Sequence, residues 1–123
     1  MFKRLALFAL LAAAPAHAET LSAEIGRTGL TATEARLSAL PSPSDDETLA
    51  LGAVLFLRAI EGSFQTRWTY GMTDRSGMLP LLRLPLDDNP APTAFDPKAI
   101  AQIFSDAEAG LAAAITTFAK LPD

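Results

Sequence analysis

The chain contains no cysteine, and its one histidine, His17, lies in a segment that reads as a removable export signal. Without cysteine there is no disulfide framework, no thiol nucleophile and no thiolate zinc site. Removal of residues 1–18 takes the histidine as well. That excludes a Ser-His-Asp triad and leaves general acid–base chemistry to carboxylates, lysine or tyrosine. Basic side chains are also few. Of ten in the 123-residue chain, Lys3 and Arg4 leave with the signal, so fourteen acids face eight bases. A surface of that sign does not suit nucleic acid, whose phosphates require clustered Lys and Arg. No glycine-rich phosphate loop is present either, since Gly26 and Gly29 have neither the strand before nor the lysine after that it requires. The residues imply no cofactor and no metal. Asp87, Asp88, Asn89 and Asp96 come nearest to an oxygen-ligand set, but they lack the alternation and central glycine of a calcium loop.

What is present begins with an address. Met1-Phe2-Lys3-Arg4 is a short positive leader, residues 5–14 are uninterruptedly apolar, Pro15 breaks any helix, and Ala16-His17-Ala18 is the small-x-small pattern of a signal peptidase site. Cleavage is expected between Ala18 and Glu19. Ten apolar residues would span about 15 Å as a helix against about 30 Å of hydrocarbon, so the segment reads as a signal rather than a membrane anchor. The mature protein is expected in the periplasm or secreted, and a chain without disulfides fits the periplasm. Residues 49–60 form the other apolar stretch, too short and too charged at its flank to span a bilayer.

The remaining 105 residues are enough for a single domain. Residues 19–30 are weakly patterned and accommodate at most a short helical turn. Thr31 with Glu34 reads as a capping box that starts a helix at Ala32 and ends before Pro41. Ser44 with Glu47 is a second capping box, with Asp45 and Asp46 reinforcing the first turn. The helix it opens is expected to reach Tyr70, with Leu49, Ala53, Phe56, Ile60, Phe64 and Trp68 as its buried stripe. Leu51, Val54, Leu55 and Leu57 fall off that stripe, so the helix should be central, with neighbours on at least two sides. Gly52 and Gly62 suit close approach of another backbone, and Gly71 suits a helix stop. Residues 78–86, with Pro80 and Pro85, read as an extended apolar crossover. Asp96-Pro97 then starts a last helix, with Ile100, Ile103, Phe104, Ala107, Leu111, Ala114, Ile115 and Phe118 on its apolar side. The expected class is all-α, a small helical bundle or hairpin array, with Phe56 and Phe104 central in its core.

Arg67, Trp68, Tyr70, Asp74 and Arg75 form the constellation most suggestive of a ligand, and they include the chain's single tryptophan and single tyrosine. Aromatic stacking beside a guanidinium can hold a sugar, a peptide or an anion. The competing reading closes the buried stripe with Trp68, leaves Tyr70 at the rim and lets the arginines balance an acidic surface. A carboxylate enzyme would have to use Glu61 and Asp74, but Glu61 is expected to be solvated and neutralised by Arg58 or Arg67.

Leu51-Gly52 followed by Leu55 and Ala59, after Ala39-Leu40 and the prolines at 41 and 43, resembles the first helix of a tetratricopeptide repeat over residues 31–62. Leu49-Ala50-Leu51-Gly52, Gly71-Met72-Thr73-Asp74, Leu81-Leu82-Arg83-Leu84-Pro85 and Phe95-Asp96-Pro97 make the whole chain similar to the N-terminal part of a family of exported bacterial proteins of longer length. That resemblance implies export and a possible continuation of the chain, and no catalytic motif. The function expected from the residues is a non-enzymatic packing or protein-interaction module that engages a protein partner or itself. The other expectation is a periplasmic binder of a small ligand.

Overall fold

A computed structural model describes residues 20–73 and 84–122. Three helices account for most of them: α1, Leu21–Ser38; α2, Asp45–Thr69; and α3, Lys98–Phe118. No strand occurs among the described residues, and the fold is all-α. The long α2 is central. It packs against α1 on one side and more extensively against α3 on another, while α1 and α3 do not pack on each other. Gly52 near the start of α2 lies under the Phe118 ring at the end of α3, and Ala59 meets Gly110, so α2 and α3 run antiparallel.

The helix ends follow from local chemistry. Ser44 Oγ accepts from the Glu47 amide while the Glu47 carboxylate accepts from the Ser44 amide, which satisfies two orphan donors reciprocally. At the other end of α2 the Met72 amide donates to the Arg67 carbonyl and the Gly71 amide to that of Trp68. This double closure requires a left-handed residue, and Gly71, at φ 61°, provides it. Before α3, the Asp96 carboxylate accepts from the Lys98 amide at 2.9 Å, and Pro97 already has helical torsions.

In α1 the structure corrects the sequence reading. The helix begins at Leu21, capped by Thr20, and breaks at Gly29 (φ 82°, ψ 166°) before resuming, so no helix begins at Ala32. The capping box expected there gives way because the glycine torsion itself starts the second segment, and Glu34 is drawn to Arg58 on α2 instead. The break is sharp. Glu24 and Arg36 would be about 18 Å apart along a straight helix, yet the guanidinium donates to both carboxylate oxygens, at 2.5 and 2.6 Å. The corner is closed by Thr33, fully buried, whose hydroxyl donates to the Gly29 carbonyl and lies 3.3 Å from the Thr28 hydroxyl.

The core is made of smaller residues than the sequence pattern implies. Leu37, Val54, Ala99, Ile103 and Ala114 are buried, with Thr33, Thr48, Gly52, Thr117 and Arg67. The expected stripe of α2 is not the buried one, since Leu49, Phe56 and Trp68 are 51, 44 and 45 % exposed. At 100° per residue, Leu49, Ala53, Phe56, Ile60 and Phe64 share one face of about 80°. Gly52 and Ala59 turn toward α3, and Arg58 toward α1. The two flanking helices thus take the other two faces and leave the stripe outward. A similar rotation applies to α3, where Ala99, Ile103, Gly110, Ala114 and Thr117 form the seam while Phe104 is 58 % and Ile115 68 % exposed. Small residues win the seam because they let the backbones approach, which brings many atoms into van der Waals contact. Of the two glycines singled out in α2, Gly52 meets such an approach and Gly62 faces open space.

Candidate functional site

Of the expected Arg67, Trp68, Tyr70, Asp74 and Arg75 cluster, the described residues Arg67, Trp68 and Tyr70 enter three different surroundings. Arg67 turns inward and is 1 % exposed. Its Nη2 donates to the Leu84 carbonyl at 3.0 Å, and its guanidinium lies 5.6 Å from the Phe64 ring centroid. Burial pushes its pKa below the usual arginine value, though the group stays charged near neutrality. Arg67 is therefore a strut that ties the segment after residue 83 to α2. Trp68 points outward instead of closing a buried stripe, and its carbonyl accepts from Asn89 Nδ2 at 2.9 Å. Asn89 Oδ1 in turn accepts from the Ala91 amide. Asp74, Arg75, Ala18 and Glu19 lie outside the described residues, as does most of the 78–86 crossover.

Tyr70 belongs to a different constellation. It lines an open cleft of about 500 Å³ with Gln65, Thr66 and Thr69 from the last turns of α2 and with Asp96, Lys98, Ala99 and Gln102 from the start of α3. Several of these groups already have partners: Thr69 Oγ1 donates to the Gln65 carbonyl, and Gln102 Nε2 to Asp106 Oδ1. Among the described residues lining the cleft, Lys98 is the only cation. Its polar residues recur at helical spacing in the sequence, but only the antiparallel register of α2 and α3 brings them together.

A second recess lies on the apolar side of the same helix pair. Ala59, Ile60, Ser63 and Phe64 of α2, Ala107 and Leu111 of α3, and Leu84 surround about 300 Å³. Leu84 is held there by the Arg67 hydrogen bond. From this recess the exposed row of α2, Leu49 and Phe56, continues by helical spacing along the face of Ile60 and Phe64. The exposed row of α3, Ile100, Phe104 and Ile115, continues along the face of Leu111. The recess is thus the middle of an apolar groove, flanked by two rows of large side chains.

Glu61 is committed to structure. Arg58 donates to Glu61 at 2.8 Å and to Glu34 on α1 at 3.0 Å, and those two hydrogen bonds, the Glu61 one first, hold the arginine's pKa above its usual value. Among the described residues no three acid, histidine or cysteine side chains converge as a metal site would require. None of the described helices is long and apolar enough to cross a membrane. Comparisons with protein families, with curated proteins and with solved structures yield no match to the chain.

Proposed function

We propose that this protein is an exported helical module that works by protein–protein contact through the apolar side of the α2–α3 pair, and that it catalyses no reaction. The observation that carries this reading is the row Ile100, Phe104, Leu111 and Ile115, each 38 % exposed or more, beside a groove that the described chain fills only at Leu84. Soluble monomers seldom leave so many large apolar side chains in one row without a use for them. Export rests on the leader, and intact mass of a periplasmic extract tests it: the chain should begin at Glu19. A hydrophobic dye tests the surface. Strong dye binding, lost when Phe104 and Ile115 are both changed to serine with the helix content unaltered, supports contact through this side. A protein that takes up no dye and has no tendency to associate rules it out.

A second reading is favoured by the polar cleft, where Gln65, Thr66, Tyr70, Lys98 and Gln102 could hold a small polar ligand such as a sugar, a short peptide or an anion. Titration with a panel of these, followed by heat-capacity or melting shifts and repeated on Lys98→Ala, decides it. A panel that shifts nothing removes this reading.

A further inference from the structure

The exposed row of α3 has a symmetry that the row of α2 lacks. Ile100 and Ile115 stand equally far from the midpoint between Ala107 and Glu108, and so do Phe104 and Leu111. All four are exposed and share one helical face. A two-fold axis through that midpoint, perpendicular to the helix, maps the row onto itself. Reflecting the α2 row about the midpoint of Leu49 and Trp68 instead places Phe56 opposite Glu61, a carboxylate already paired with Arg58.

We propose that the partner of the α3 face is a second copy of this chain, docked antiparallel so that Ile100 meets Ile115 and Phe104 meets Leu111 of the second copy. The proposal rests on the protein-contact reading above and names its partner. A two-fold interface must be complementary to itself, a demand that a row docking an unrelated helix does not face. Asp106 and Lys98 lie on other faces of α3 by helical spacing, and Glu108, which flanks the row, falls one position from Glu108 of the second copy. Ile100 and Ile115, 45 and 68 % exposed in the single chain, are then covered together at both ends of the seam, and Ala107 stands beside its middle.

Sedimentation of the exported protein across a concentration series should find a dimer. Phe104→Glu and, separately, Ile115→Lys should each weaken dimerisation at least tenfold while circular dichroism remains that of the parent. Native cysteine is absent, so single cysteines report the register without background. A mixture of Ile100→Cys and Ile115→Cys proteins should be joined by a short bismaleimide, whereas Ile100→Cys alone should not, because its two copies would lie about 22 Å apart along the helix. Efficient joining of Ile100→Cys to itself, or a dimer that both charge substitutions leave intact, overturns the antiparallel seam. A monomer at every concentration also overturns it. If that monomer still binds hydrophobic dye through Phe104 and Ile115, the face serves another protein and the broader reading stands. If it binds none, both fall.

Discussion

The two sides of α3 are built on opposite principles. Toward α2 stand Ala99, Gly110, Ala114 and Thr117, small residues that let two backbones come together, with Ile103 as the one large side chain among them. On the outward side stand Ile100, Phe104, Leu111 and Ile115, larger and left in solvent. The sequence pattern alone merges the two into one stripe, because residues 103, 104, 107, 111 and 114 all satisfy helical spacing. The contrast teaches that close approach decides which face a helix buries, and that bulk left outside is available for another chain. Neighbouring residues should therefore respond very differently. Ile103→Ala, at 3 % exposure, should cost about 2–5 kcal/mol, a large part of the stability of a domain this size. Phe104→Ala, measured in dilute solution where association is absent, should cost under about 1 kcal/mol. Urea denaturation of the pair checks this, and equal losses would mean that the outward face is covered within the single chain.

Glycines sharpen the same contrast. A Cβ on Gly110 would sit 2.7 Å from the Ala59 Cβ and 3.4 Å from its Cα, so the helices would have to part. Gly110→Ala should destabilise by about 1–3 kcal/mol, even though alanine is the better helix former. Gly62, in the interior of α2, meets nothing within 4 Å, and Gly62→Ala should stabilise by roughly 0.5–1 kcal/mol. Melting temperatures moving in opposite directions are the expected result.

Much of the architecture is legible from residues whose roles are local. Ser44 with Glu47, Asp96 with Pro97, and Gly71 each fix a helix end through bonds within a few positions, and the structure places all three as their chemistry requires. The central place of α2 is also legible, from a helix that is apolar nearly all round. What escapes the sequence is non-local. Two flanking helices cannot cover three apolar faces, and nothing in residues 45–69 marks which face goes uncovered. Arg67 illustrates the same limit at the site. An arginine beside a tryptophan suggests a ligand, and only the position of the Leu84 carbonyl turns it into an internal strut. The helix before Gly29 reads in the sequence as weakly patterned, and the Glu24–Arg36 pair that closes the break depends on a contact twelve residues apart.

That corner of α1 contrasts with the α2–α3 seam in a further way, because it is held by charge. The hydrogen bonds from Arg36 are the main reason the Glu24 carboxyl titrates below its ordinary value of 4.5. A carboxyl whose folded pKa is depressed contributes stability that is present above the unfolded value and is lost as pH falls through the folded one. Arg36 is half exposed, so solvent screening holds the contribution to less than about 1 kcal/mol. Stability measured from pH 6 down to pH 3 should fall in the parent, and part of that slope should vanish in Glu24→Gln. The seam of alanine, glycine and isoleucine has no group that titrates there. An unchanged slope would place the acid sensitivity elsewhere.

The smallest effect is expected at Trp68, where an aromatic at perfect helical spacing has almost no part in the core. Its side chain is 45 % exposed, and its carbonyl accepts from Asn89 and from the Gly71 amide. Trp68→Phe preserves that backbone chemistry and removes only indole surface already shared with water. Stability should change by no more than about 0.5 kcal/mol, as at an ordinary surface position. The parent's emission should be red-shifted and readily quenched by acrylamide. As the chain's single tryptophan, Trp68 makes the spectrum unambiguous. A blue-shifted, protected emission at concentrations where the protein is monomeric would put Trp68 back in the interior and return the α2 stripe to the core. A blue shift that develops only as concentration rises would show instead that association covers the outward face of α2 as well, beyond the α3 row.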